Sequence, residues 1–94
     1  MAMIIVSRHP GAVEWLRRHY PEWRDAAVLS TATGADVAGR WVAGNLPMAL
    51  AALCERYWAI EFAGTPPRGA EYTADDMEKA GARLVEYRVT RLDS

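Results

Sequence analysis

Ninety-four residues make room for one domain with one hydrophobic core, and an apolar share of 51% beside 24% charged residues excludes an intrinsically disordered chain. A formal net charge of −1 at pH 7 gives the surface no counterion-release drive towards duplex nucleic acid, so any anionic ligand needs a local site. The single cysteine, Cys54, excludes an intrachain disulfide and a cysteine-based zinc centre, and fits a reducing compartment.

Residues 2–6 form a continuous apolar run, as expected for a strand buried on both faces. That run of about six residues, with no basic leader, is too short for a signal h-region or a membrane span, so the expected location is cytoplasmic, with no membrane partner. From Pro10, the residues Val13, Trp15, Leu16 and Tyr20 make a helical stripe that Pro21 ends. Arg17, Arg18 and His19 sit in its last turn, where cations complement the helix dipole, and His19 is read as structural.

Residues 24–29 predict a second, short strand, and the string STATGAD over 30–36 a turn-rich loop. A third strand is expected at 40–43 and a break at GNLP, 44–47. An Ala- and Leu-rich helix over 48–57 then turns Cys54 inward as core. A fourth strand at 58–63 and a loop at 64–72 follow. The string TADDMEKAG starts a helix capped by Thr73, with Asp75 and Asp76 in its first turn, and ends it at Gly81. In 84–92, Leu84, Glu86, Arg88 and Thr90 alternate with Val85, Tyr87, Val89 and Arg91, the pattern of a half-exposed antiparallel edge strand.

This alternation predicts an α/β fold: a small Rossmann-like domain over residues 1–94, with a mostly parallel sheet of about five strands, an antiparallel edge strand and about three helices. Domains this small are marginal alone, and four Trp with four Tyr are many aromatics for one small core, so a homodimer is expected.

Open α/β sheets place ligands outside the carboxyl ends of their strands. Two junctions match each other there: SRHPGAVEW leaves the first strand and GNLPMALAA the third, each with a Pro near the first helical turn. If those strands are neighbours, both helix N-termini face one crevice, where unpaired N–H groups favour phosphate. Arg8 is then a candidate phosphate clamp, Ser7 a hydrogen-bond donor, Asn45 a partner for base, sugar or phosphate, and His9 a proton carrier near neutral pH. Ser7 reads equally well as a helix cap. Arg68 sits in a Pro- and Gly-containing loop able to close over the same crevice.

No P-loop and no G-x-G-x-x-G string is present, which argues against cofactor binding by those routes, and no cofactor is expected. Two His, one Cys and scattered acids have no metal-ligand spacing, so any catalysis is expected to be metal-independent.

The strings SRHPGAVEWL, GNLPMALAALC and RGAEYTADDMEKAGARLVEY resemble the small CRISPR-associated Csx-type accessory proteins of type III systems, single-domain relatives of the CARF fold. The resemblance spans nearly the whole chain. It implies a ring nuclease, a dimer that binds cyclic tetra-adenylate, the second messenger of type III immunity, and cuts it to switch the response off. On the matching positions Ser7, Arg8 and His9 fall in its first-strand motif and Asn45, Leu46 and Pro47 in its second, with Ser7, Arg8 and His9 the expected catalytic residues and Pro10, Gly11, Gly44 and Arg68 further expected ligand contacts. The alternatives are a module of the same fold that binds or sequesters cyclic oligoadenylate without cutting it, and an unrelated nucleotide-binding or interaction domain.

Overall fold

The computed structural model describes residues 3–65 and 72–93. In chain order the elements are β1 (Met3–Val6), α1 (Pro10–His19), a 3-10 turn (Pro21–Trp23), β2 (Ala27–Leu29), α2 (Gly34–Val37), β3 (Trp41–Gly44), α3 (Met48–Ala51), β4 (Arg56–Phe62), α4 (Ala74–Lys79) and β5 (Ala82–Tyr87). One five-stranded sheet runs in the order β2-β1-β3-β4-β5. The first four strands pair in parallel, and β5 closes the edge antiparallel to β4. The α/β class and the antiparallel edge are those the sequence predicts.

Apolar residues alternate across the central strands and so feed two cores. Ile5, Ala43 and Ile60 pack beneath α1 and α4 with Ala12, Trp15, Leu16, Trp23 and Met77. Ile4, Val6 and Val42 pack on the opposite face with Val37, Leu46 and Leu50. The continuous apolar run of β1 thus serves both layers, as a centrally placed parallel strand must. Glu78 ties α4 to α1, accepting from Trp15 Nε1 at 2.8 Å and lying 2.7 Å from His19 Nε2. Arg18 bridges Glu14 and Asp75 at 2.6 and 3.1 Å. These contacts tie His19 and Asp75 into the packing of α1 against α4.

Several boundaries differ from those the pattern predicts. Residues 24–26 are not strand: the 3-10 turn carries Trp23 into the core, and pairing with β1 begins only at Ala27, opposite Ile4. The helix expected over 48–57 stops at Ala51, because β3 recruits the following segment as β4, with Arg56 opposite Trp41 and Tyr57 opposite Val42. Tertiary pairing overrides helix propensity there. Cys54 therefore lies in a turn, half-buried against the second core, and burial pushes its thiol up from its ordinary value. Strand β5 ends at Tyr87 rather than 92, since its last partner is Tyr57, next to the start of β4. Within the expected loop over 30–36 a further short helix, α2, begins at Gly34.

At the amino ends of the strands, Arg56 lies over both Trp41 and Trp58, 4.5 and 4.6 Å from the two ring centroids. The same guanidinium binds Glu86 in bidentate fashion at 2.7 and 2.8 Å. Stacking and a two-point carboxylate contact together stiffen this end of the sheet. The opposite end carries the two polar junctions noted in the sequence.

Candidate functional site

The order β2-β1-β3-β4 reverses direction between β1 and β3, the switch point at which doubly wound sheets open a crevice beyond the carboxyl ends of their strands. Strands β1 and β3 are direct neighbours, with Val6 opposite Gly44. The two polar junctions noted in the sequence therefore leave the sheet side by side. A cleft of about 430 Å³ lies over them, lined by Ser7, Arg8 and His9 from the first junction and Gly44, Asn45, Leu46 and Pro47 from the second.

Gly44 makes this approach possible. Its φ of 137° lies where L side chains are strained, and a Cβ there would collide with the Val6 carbonyl. The buried Tyr57 then fixes the turn that follows. Its hydroxyl donates to the Gly44 carbonyl at 3.1 Å and accepts from the Leu46 N–H at 3.0 Å, holding the backbone on both sides of Asn45. Burial pushes the Tyr57 phenol up from its ordinary value, which keeps it protonated and able to donate. The Asn45 side chain projects exposed at the cleft and makes no hydrogen bond among the described residues.

At the first junction Ser7 is not the helix cap. The N-cap of α1 is His9, without a side-chain cap bond. The Ser7 hydroxyl instead accepts the His9 N–H at 3.1 Å, which sets the turn between β1 and α1. Arg8 is exposed, and its one hydrogen bond among the described residues goes to Thr31 Oγ1 at 3.5 Å. That long contact leaves the guanidinium free to swing to an anion. His9 is half-buried, its ring 4.5 Å from that of Tyr72 and tilted by 33°.

Pro10 does not line this cleft; it borders a second, more open cavity with Val13, Arg17, Arg18 and Val28. Gly11 faces the backbone of Tyr72 and Thr73, so closely that a Cβ would collide with the Tyr72 carbonyl. Gly11 is not among the residues lining the cleft, and it bears on the cleft through the backbone of Tyr72. Arg68 lies outside the described residues. The second junction also differs from expectation: α3 has four residues, so its end contributes little dipole, while α1, with ten, retains a full-strength N-terminus.

The structure adds residues the sequence reading left out. Ser30 and Thr31 line the cleft from the end of β2, and the rule that picked the other two junctions applies equally to them. Ile60, Phe62 and Tyr72 supply an apolar side. Tyr72 carries no local signal, since only the fold brings the residue before the α4 cap over to α1. Among the described residues no three His, Cys, Asp or Glu side chains stand together as a metal site. No helix among them is long and apolar enough to cross a membrane.

Fold and site together define a doubly wound α/β protein with a small, partly apolar crevice at its switch point, rimmed by one guanidinium and several hydroxyl and amide groups. Compared with known families, residues 4–90 match the model described as "Putative CRISPR-associated protein (Cas_VVA1548)", and the chain belongs to that CRISPR-associated family. No curated protein and no solved structure matches the chain.

Proposed function

We propose that this protein is a CARF-like ring nuclease of type III CRISPR immunity, a homodimer that binds cyclic tetra-adenylate and cleaves it without metal or other cofactor. The observation that carries the reading is the meeting of two polar junctions of adjacent parallel strands on one cleft, with Arg8, Ser7, His9 and Asn45 on its rim. Family membership supports the CRISPR context. The dimer would present each junction twice around a symmetric ligand.

The chemistry asks for positioning and charge. A 3′–5′-linked ring carries its own nucleophile: the 2′-oxygen attacks the adjacent phosphorus, a P–O2′ bond forms, and the P–O5′ bond breaks. The 2′-hydroxyl proton passes to a base, the role given to the His9 imidazole, and the 5′-oxygen takes a proton from solvent. Arg8 holds the scissile phosphate and offsets the charge gained in line. Asn45, held by the Tyr57 strut, and Ser7 align the ribose-phosphate.

Incubating the pure protein with labelled cyclic tetra-adenylate in EDTA and resolving the products tests this. The expected result is linear oligoadenylate ending in a 2′,3′-cyclic phosphate. A ring bound but recovered intact identifies a sequestering module instead, a ring neither bound nor cut rejects the reading, and cleavage only after a divalent ion is restored rejects metal independence.

A further inference from the structure

The cleft has two chemically different sides. Arg8, Asn45, Ser30 and Thr31 bring donors for phosphate and ribose, whereas Ile60, Phe62 and Tyr72 bring apolar surface to the side above α1 and β4. Ile60 and Phe62 are two residues apart on β4 and so share one face, the face that packs towards α1 and α4. Tyr72 closes that side with its ring already in contact with the His9 ring, 4.5 Å between centroids. Two constraints hold it there. Gly11, lacking a Cβ, lets the backbone of residues 72 and 73 rest on the first turn of α1. Immediately after it, Thr73 is locked by the capping box of α4, its N–H donating to Asp76 at 2.8 Å and its hydroxyl accepting the Asp76 N–H at 3.1 Å. The result is a preformed aromatic wall beside an anion clamp.

An apolar, ring-lined recess next to a guanidinium and three hydroxyl or amide groups matches one ligand chemistry closely: a flat heteroaromatic base joined through a sugar to a phosphate. We propose that the Ile60–Phe62–Tyr72 side is a nucleobase subsite, in which a base stacks on Tyr72 while its phosphate lies at Arg8. This rests on the reading of the cleft as a nucleotide site, and assigns the residues that read the base as opposed to those that act on the backbone. A cleft of about 430 Å³ lies at the small end of ligand sites, which span about 300–1000 Å³, and so suits a nucleotide unit of a ring rather than the whole ring.

Base-bearing and base-free probes distinguish this role from a structural one. Binding of adenosine 5′-monophosphate, of ribose 5-phosphate and of cyclic tetra-adenylate is measured by calorimetry for the parent, Tyr72→Phe and Tyr72→Leu, each checked by thermal melt. Stacking on an aromatic side chain contributes about 1–3 kcal/mol per base, so Tyr72→Leu should weaken the adenylate probes by about 5- to 150-fold. Ribose 5-phosphate affinity should stay at the parent value, and Tyr72→Phe should bind all three like the parent. Equal losses for base-bearing and base-free probes, or no loss for either, overturn the subsite. If cyclic tetra-adenylate is bound and cut by Tyr72→Leu as by the parent, the subsite fails while the ring nuclease stands. If adenosine monophosphate binds in a Tyr72-dependent way and the ring is not cut, the ring nuclease fails while the subsite stands. A parent that binds no adenylate overturns both.

Discussion

Arg8 is the side chain on which the proposed chemistry turns. It is exposed, and its 3.5 Å contact with Thr31 is too long to anchor it. Removing it should therefore leave the melting temperature within a degree or two of the parent, since exposed side chains without strong partners contribute little to folding. Cleavage should respond very differently. Loss of one preorganised donor at developing charge costs on the order of 10²-fold or more in rate, so single-turnover rates of Arg8→Ala should fall by that much at unchanged stability. An Arg8→Ala variant that cuts like the parent would move the reactive centre elsewhere. His9→Ala should cost about 10²-fold if the imidazole carries the proton, and the pH–rate profile should then lose a limb near neutrality. Both residues were readable as polar groups at a strand end. Tyr57 was not: the sequence pattern puts it at the end of the helix expected over 48–57, and only the parallel pairing of β3 with β4 makes it a strand residue and puts its hydroxyl between Gly44 and Leu46.

At the scale of elements, the two short helices α2 and α4 start in the same way. Thr33 and Thr73 each accept the N–H of the Asp three residues on, and each Asp carboxylate accepts the Thr N–H in return. Those bonds, the backbone one foremost, hold Asp36 and Asp76 below the ordinary carboxylate value of 3.8. A carboxylate with a depressed folded pKa stabilises the fold above its unfolded pKa, and that contribution disappears as pH falls through the folded one. Asp76→Asn should thus melt below the parent at pH 7, with the gap closing as pH is lowered from about 4, the unfolded carboxylate range. A gap constant across that range would refute the linkage. Thr73→Ala removes the cap, for about 1 kcal/mol, or about 4–8 °C in Tm for a domain of this size. The string TGAD carries the same signature as TADD, so α2 was legible in principle. Its four residues are too short for apolar periodicity, and pattern alone leaves them in a loop. The early end of α3 was not legible, because nothing local to MALAALCERY says that β3 will claim its last two residues.

For the whole molecule, the proposed ligand, set against the size of the cleft, carries an expectation about assembly. One chain, with a radius of gyration of 13.1 Å, carries among its described residues a cleft of about 430 Å³ at its switch point. Four linked nucleotides exceed what such a cleft encloses, given that sites of about 300–1000 Å³ bury most of a drug-sized ligand. On the proposed reading, a ring held on all sides would need a second cleft, which a two-fold axis would supply with the same residues facing inward. The chain also has apolar surface to spend on such a contact. Met48, beside Pro47 on the cleft rim, is 80% exposed, and Leu53 and Tyr87 are 47% and 44% exposed. On the α2–α3 side of the sheet, Ala59 and Val85 stand half-buried between the ion pair of Glu61 with Arg83 and the hydrogen bond from Tyr87 to Glu61. Light scattering should accordingly give a mass of two chains with cyclic tetra-adenylate present, and titration an end point of one ring per two chains. The titration uses Arg8→Lys protein, which retains the cation but lacks the planar donor fork and is expected to cut slowly enough to keep the ring intact. A mass of one chain both with and without the ring, or an end point of one ring per chain, would mean that a single cleft handles the whole ligand and would remove the dimer from the mechanism.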